Sequence, residues 1–283
     1  MRVAYLGPSG TFSEDALRQS GFVSEDDLIP VLCDTVSDVV SAVGRGLADR
    51  ALAPIENSIE GSIRPTLDGL AEAADQIEII GEYDHEIRSG LIARTTFPLD
   101  EIEVVLSHPQ PLAQCARFLR EQLPNAKSQV ADSTASAVQL VRDSDENWAA
   151  LAPVAAAAAY GCEVLATDIE DEPGNTTRFV WLAPTGTGPD ENHISLTPWK
   201  TTLVFSELGE DHPGALVDAL LEFSNRNINL ARIESRPARR EIGRYRFFID
   251  VEGRAGDEQL AEAITALRTK AESVQILGSY RAA

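Results

Sequence analysis

Two neighbouring hydroxyls and a guanidinium, Thr176, Thr177 and Arg178, stand together in the stretch Asn175-Thr176-Thr177-Arg178-Phe179. A hydroxyl can donate one hydrogen bond while accepting others, and the planar fork of an arginine matches a carboxylate with two parallel bonds. The set therefore suits holding an anion and donating to an oxygen beside it. An acidic loop broken by glycine and proline, residues 168–174, precedes it, and an apolar strand-like run, residues 179–183, follows. The polar residues thus fall where a loop enters a sheet, a common place for function. Taken alone, the pattern also fits a plain N-x-T turn with a surface arginine, so its weight comes from the company it keeps upstream.

Three upstream stretches end a strand and open a helix. The first, GPSGTF at residues 7–12, follows an apolar run at 2–6, and Thr11 with Glu14 has capping-box spacing. The free N–H groups of that helix start suit an anionic ligand group. There is no lysine there and the spacing fails G-x-G-x-x-G, so it is not a nucleotide loop. The second follows the strand at 51–55 and reads Glu56-Asn57-Ser58-Ile59-Glu60-Gly61. Polar groups at the end of a buried strand are costly to leave unpaired. Asn57 and Ser58 read as ligand contacts, Glu56 and Glu60 as capping or loop contacts. The third, Ser107-His108-Pro109-Gln110-Pro111-Leu112-Ala113-Gln114-Cys115, repeats the capping spacing at Ser107 and Gln110. Its helix should bury Leu112, Cys115, Leu119 and Leu123. His108 reads as a helix-entry histidine bonded to its own backbone, and His85 as a surface histidine.

These elements need a chain large enough to position them. A length of 283 residues with 43% hydrophobic content supports two domains with well-buried cores. No run of eighteen apolar residues occurs, and residues 1–5 open as a strand without signal-peptide features, so a cytoplasmic protein is expected. Cys33, Cys115 and Cys162 are scattered, without disulfide or metal spacing, and read as small buried apolar side chains. The net charge of −21 argues against nucleic acid or an anionic membrane as partner. Lysine occurs only at positions 127, 200 and 270. A salt-rich cytoplasm or a base-composition bias explains that equally well. As a hypothesis, the acidic surface is an adaptation to salt. Its melting temperature should then rise with salt as self-repulsion is screened, and a flat response would sink the idea.

Strands at 27–33 and 51–55 with helices at 37–47 and 62–74 make a first α/β lobe, with Ile63, Leu67 and Leu70 turned inward. Residues 77–94 cross to a second lobe. There, strands at 104–106, 127–131 (Val130 inward) and 148–152 alternate with helices at 133–141 and 154–160. The second lobe partly repeats the first. Ser41-Ala42-Val43 and Ala51-Leu52-Ala53-Pro54-Ile55 have counterparts in Ser136-Ala137-Val138 and Ala150-Leu151-Ala152-Pro153-Val154. The chain then returns at 175–179. Residues 1–183 form this two-lobed region and 184–198 a linker. Residues 199–283 read βαββαβ, the ferredoxin-like plan, whose open edges a second copy could cover.

GPSGTF, ENSIEG, SHPQPLAQC, NTTRF, then GALV at 214–217 and ESRP at 234–237, stand in an order that resembles prephenate dehydratase with a C-terminal ACT domain. Ser13 and Pro111 depart from the family's frequent Thr and Ala. The resemblance implies an α/β fold with two lobes similar to type II periplasmic binding proteins, no cofactor and no metal. It also implies the monofunctional form, without a chorismate mutase segment. The implied reaction converts prephenate to phenylpyruvate. Thr177 would be the essential hydrogen-bond donor and Arg178 the carboxylate ligand, with Thr11, Asn57, Ser58, Ser107, Gln110 and Phe179 contacting substrate. The ACT resemblance implies feedback by L-phenylalanine at Gly214, Ala215, Leu216, Val217, Glu234, Ser235, Arg236 and Pro237, in a homodimer or homotetramer. Arogenate dehydratase is the alternative within enzymes. A non-catalytic amino-acid sensor would not need Thr177-Arg178-Phe179, and a solute-binding protein would need an export signal.

Overall fold

The structure, a computed structural model, describes residues 1–189, 197–208, 213–238 and 243–283. Strand β1 (Arg2–Leu6) pairs in parallel with β2 (Ile29–Cys33) and β3 (Arg50–Asn57). Helix α1 (Phe12–Gln19) begins where Thr11 accepts from the Glu14 N–H, and α2 (Val36–Gly44) where Thr35 accepts from the Asp38 N–H. Helix α3 (Arg64–Glu72) starts with a proline in its first turn, where the missing N–H costs nothing. Helices cover both faces, so β3 carries five consecutive buried residues, as parallel strands do.

Strand β5 (Ile77–Glu86) belongs to this first sheet, and β6 (Ser89–Ala93) already to the second. The second sheet adds β7 (Val104–Ser107), β8 (Lys127–Val130), β9 (Trp148–Pro153) and β10 (Glu163–Ala166), in the order β10-β6-β9-β7-β8. Helices α4 (Pro109–Gln114), α5 (Ala116–Gln122), α6 (Thr134–Arg142) and α7 (Val154–Tyr160) complete this lobe. The repeated sequence pattern occupies equivalent places: α2 then β3 in one lobe, α6 then β9 in the other. The chain returns through β11 (Thr176–Pro184), inserted antiparallel between β5 and β3.

Beyond it come β12 (Trp199–Ser206), α8 (Ala215–Ser224), β13 (Leu230–Pro237), β14 (Tyr245–Glu252), α9 (Glu258–Leu267) and β15 (Ser273–Arg281). This is the expected βαββαβ order. One of its edges is covered from within the chain, because β15 pairs with β5 at Gly278 and Ile79. The strands of the first lobe and of the C-terminal unit thereby form one sheet running β13-β14-β12-β15-β5-β11-β3-β1-β2, separate from that of the second lobe. A Cβ on Gly278 would stand 2.2 Å from the Ile79 carbonyl oxygen, closer than any real contact. Gly278→Ala should therefore separate the two units, lowering the melting temperature by the several degrees that about 1–3 kcal/mol of overpacking implies. An unchanged melting curve would show that the seam carries no load.

Several sequence readings are corrected. Val130 points outward at 63% exposure, because β8 is the outermost of the described strands of its sheet and all four of its residues are exposed. The helix expected after Ser107 breaks at Cys115, and its cap is His108, whose Nδ1 accepts from the Gln110 N–H, not Ser107. Strand β10 and the two-residue β4 (Gly61–Ser62) had no period long enough to read. Cys115 and Cys162 are buried and Cys33 partly so. Burial first, then Glu170 and Asp171, push the Cys115 thiol up to about 12, which keeps it neutral. In the segment read as a linker, residues 190–196 lie outside the described residues.

Candidate active site

The faces of β11 decide the site. Phe179, Trp181 and Ala183 pack with Val3, Tyr5 and Leu17 on the α1 side, whereas Val180 and Leu182 pack with α2, α3, Phe248 and Tyr280 on the other. Side chains alternate across a strand. Thr177 therefore shares a face with Phe179, and Arg178 takes the opposite one.

On the Thr177 side, β11 lies in register between two strands, with Asn57 of β3 and His85 of β5 as its Cα partners. Thr177 is 9% exposed and Asn57 4%. The Asn57 Oδ1 accepts from the backbone N–H groups of Ile59 and Glu60, both at 3.0 Å, which fixes the amide's orientation. Its Nδ2 then donates to the Asn175 Oδ1 at 2.8 Å and to the Thr177 Oγ1 at 3.0 Å. Thr177 is thereby an acceptor from Asn57, and its own O–H is left to donate elsewhere. Asn175 donates in turn to the Gln114 Oε1 at 3.2 Å, carrying the network into the second lobe. The Gln114 Nε2 is buried and, among the described residues, has no hydrogen-bond partner. Gln114 and Asn175 were not singled out from the sequence. The available signal was spacing, since Gln114 lies four residues after Gln110 on one helix face.

His85, expected at the surface, is 2% exposed. Its Nε2 lies 3.3 Å from the Asp15 Oδ2, and its ring meets Phe179 edge-on at 6.3 Å between centroids. Antiparallel pairing of β5 with a central strand turns its polar end inward.

Arg178 does not face this gap. Its Nε donates to the Glu82 Oε2 at 2.7 Å, its Nη1 to the Asp250 Oδ2 at 2.6 Å, and its Nη2 to the Tyr280 hydroxyl at 2.9 Å. Two of these partners belong to the C-terminal unit. Burial opposes the charge on Arg178, but Tyr280, Asp250 and Glu82 outweigh it and raise its pKa. Asp250 is held low: burial alone would raise it, and the positive charges of Arg178 and Arg232 reverse that.

The other expected contacts divide similarly. Ser107 is fully buried, its hydroxyl donating to the Leu151 carbonyl at 2.7 Å, so it braces β7 against β9. Phe179 is 2% exposed and belongs to the core around α1. Thr11 caps α1 and donates to the Leu6 carbonyl, while Glu14 accepts from the Gly10 N–H at 2.7 Å. Ser58 is exposed and accepts from the Thr176 N–H. Gln110 is half-buried in the first turn of α4. In the C-terminal unit, Gly214 starts α8 with φ 103°, followed by Ala215, Leu216 and Val217. Glu234, Ser235, Arg236 and Pro237 end β13, and Arg236 forks onto both Asp68 oxygens of α3, at 3.2 and 2.9 Å.

The loop at 7–12 also bridges the lobes. The Tyr160 hydroxyl of α7 donates to the Ser9 carbonyl and accepts from the Gln139 amide. Gly10, at φ +82°, leaves no room for a Cβ, which would stand 2.8 Å from the Tyr160 ring. Gly10→Ala should push the lobes apart and raise KM more than it lowers kcat. A KM equal to that of the parent would show that the contact does not set the cleft.

Residues 3–187 match the family described as prephenate dehydratase, and residues 204–269 match the ACT domain. A prephenate dehydratase of Mycolicibacterium vanbaalenii is 38% identical over 98% of this chain and 90% of its own length. The crystal structure of prephenate dehydratase from Arthrobacter aurescens, in complex with L-Phe, superposes with a TM-score of 0.88 at 38% identity, covering 99% of this chain and 90% of that one. GqqA, described as a novel type of quorum quenching acylase, superposes at 0.84 with 29% identity, covering 100% and 98%. With a two-lobed α/β region bridged from Asn175 to Gln114 and a ferredoxin-like unit docked on its first sheet, this chain belongs to the prephenate dehydratase family and carries a C-terminal ACT domain.

Proposed function

We propose that the protein converts prephenate to phenylpyruvate, with Thr177 donating a hydrogen bond to the departing hydroxyl. Prephenate carries a ring carboxylate and a hydroxyl on opposite carbons. Losing them as carbon dioxide and water aromatises the ring, which supplies the driving force. The carboxylate's electrons move into the ring as its C–C bond breaks, and the C–O bond opposite breaks as the oxygen leaves. An alcohol is too weak an acid to lose its proton outright at neutral pH, so Thr177 polarises the leaving oxygen or relays a proton through water. Such a placed donor is worth a few kcal/mol in the transition state. The observation that carries this reading is the Asn57 amide, locked by two backbone donors and directed at the Thr177 oxygen.

The groups wired to Thr177, namely Asn57, Asn175 and Gln114, are neutral. They orient substrate without stabilising the ring carboxylate as a cation would, which favours its loss once water is excluded. Incubation with prephenate, assayed for phenylpyruvate, tests the reading. A parallel incubation with arogenate, assayed for phenylalanine, tests the alternative substrate. No turnover of prephenate would overturn the assignment.

The same reading gives the ACT domain L-phenylalanine as effector, held by residues 214–217 and 234–237. A second copy would lie along the free β13 edge, where Ile233 is 47% exposed, near the exposed Val217 and Leu221 of α8. Turnover with and without L-phenylalanine, and sedimentation of the full chain, check the two statements separately.

A further inference from the structure

We propose that Asp250, in the ACT domain and remote from the reacting atoms, is a positioning residue for Thr177 and acts through Arg178. The proposal rests on Thr177 being the donor described above.

Behind the row Asn57, Thr177, His85 lies a second row on the other face of the same three strands: Glu56, Arg178, Asp84. Each member of one row is the chain neighbour of a member of the other. The pairing of β11 with β3 shifts register just after Arg178, which pairs with Glu56 while Phe179 pairs with Pro54. Such a bulge interrupts the β3 side of the ladder one residue past Thr177, while the β5 side runs on unbroken, so on the β3 side the backbone bonds hold the strand less firmly there. What stands in for them is the guanidinium one residue on, gripped at all three nitrogens.

Asp250 is the anchor of that grip. It is fully buried, and its Oδ1 accepts from the Thr202 hydroxyl at 2.7 Å, which also lies 2.7 Å from the Tyr280 hydroxyl. Its Oδ2 serves Arg178 at 2.6 Å and lies 3.7 Å from the Arg232 Nη1. Arg232 is 8% exposed, and among the described residues its Nε and Nη1 make no hydrogen bond, so charge alone holds them. Glu56 lies 3.6 Å from Arg178 and 3.5 Å from Arg232, between the two cations. Neutralising Asp250 leaves Arg178 held by Glu82 on one side only, and leaves Arg232 with Glu56, which both guanidiniums flank, as its nearest carboxylate. Glu56 adjoins Asn57 and Arg178 adjoins Thr177, so either displacement disturbs the bond between Asn57 and Thr177. A buried ion removed from one side is felt by its partner because the partner cannot be resolvated.

The test is a double-mutant cycle on the full-length enzyme, read as kcat and KM for prephenate. Asp250→Asn is isosteric and keeps an oxygen for Thr202. It should lower kcat on the order of tenfold to a hundredfold, as small misplacements do, with KM changed far less. In a Thr177→Ser background the penalty should shrink, because serine lacks the methyl that ties the hydroxyl's rotamer to the strand. Equal penalties in the two backgrounds would mean that Asp250 acts elsewhere, and would overturn the proposal. So would an unchanged kcat. If Asp250→Asn does not fold, Thr202→Val keeps the charge but frees the carboxylate, and must reproduce the same non-additivity at smaller amplitude. Thr177→Ala separates the two ideas. Full turnover in that variant takes down both, whereas lost turnover with an additive cycle takes down only the role of Asp250.

Discussion

Replacing Thr177 with alanine should lower kcat roughly 10²- to 10³-fold, the range found when one preorganised donor to a developing charge is removed. The fold should survive. The Asn57 amide keeps the Asn175 Oδ1 at 2.8 Å and the Thr176 carbonyl at 3.3 Å as acceptors for its two hydrogens, and the cavity left is only a methyl and a hydroxyl. KM should move little, because the hydroxyl is invoked at the departing oxygen and not in uniform binding. Thr177→Val, nearly the same shape without the O–H, should be as slow as alanine. Thr177→Ser should be intermediate, since its hydroxyl is present but less constrained. The measurement is steady-state formation of phenylpyruvate together with a thermal melt of each variant. Near-parental turnover in the valine variant would remove Thr177 from the chemistry.

The second large effect is on stability. If Arg178 bound a substrate carboxylate, Arg178→Leu would raise KM and leave the melting curve alone. Its placement predicts the reverse emphasis. Removing the guanidinium strands Glu82, 2% exposed at its side chain, and Asp250, fully buried, beside each other with less positive charge. Breaking one side of a buried ion pair costs about 3–5 kcal/mol. Lys200, which also bonds Glu82, offsets part of that. Arg178→Lys should recover little, because one ammonium cannot meet three partners set around a planar fork. The pH dependence gives a further check. Asp250 is held below its ordinary value in the folded protein, so its contribution is fully present above the unfolded carboxylate value and is lost as pH falls through the folded one. The stability gap between parent and Arg178→Leu should therefore be widest near neutral pH and narrow in acid below about 4. A gap that widens in acid would mean that Asp250 is not the group Arg178 holds.

Much of the architecture was legible because it depends on local periodicity. In the helix expected over 37–47, Val39, Val40, Val43 and Leu47 read as one face; the three valines form it, whereas α2 ends at Gly44 and leaves Leu47 beyond it, 49% exposed. The crossing at residues 77–94 read as a passage between lobes because its apolar ends flank a polar middle, and β5 and β6 do lie in different sheets. His108 read as a helix-entry cap, and its Nδ1 accepts the Gln110 N–H. His85, expected at the surface, is buried, and Ser107 and Phe179, expected beside substrate, also lie in the interior, all for one shared reason. Ser107, Phe179 and His85 are ordinary polar or aromatic residues at element ends, where the local pattern does not tell a cleft from a core. Their burial comes from β9, α1 and β11, which lie far off in the chain.

The sequence by itself determined that residues 179–183 form a strand entered from an acidic loop, that Asn57 follows close on the end of another, and that six ordered motifs tie the chain to one family. It also contained the alternation that sends Thr177 and Arg178 to opposite faces, because side chains on a strand repeat every two residues. Only the tertiary structure decided what waits on each side: Asn57, Asn175 and Gln114 around the hydroxyl, and Glu82, Asp250 and Tyr280 around the guanidinium. The reason is that an arginine's charge suits a ligand or a buried carboxylate equally well. The choice fell to a domain docked through β5 and β15, whose Asp250 and Tyr280 lie 72 and 102 residues beyond Arg178 and are unreadable from the spacing around it.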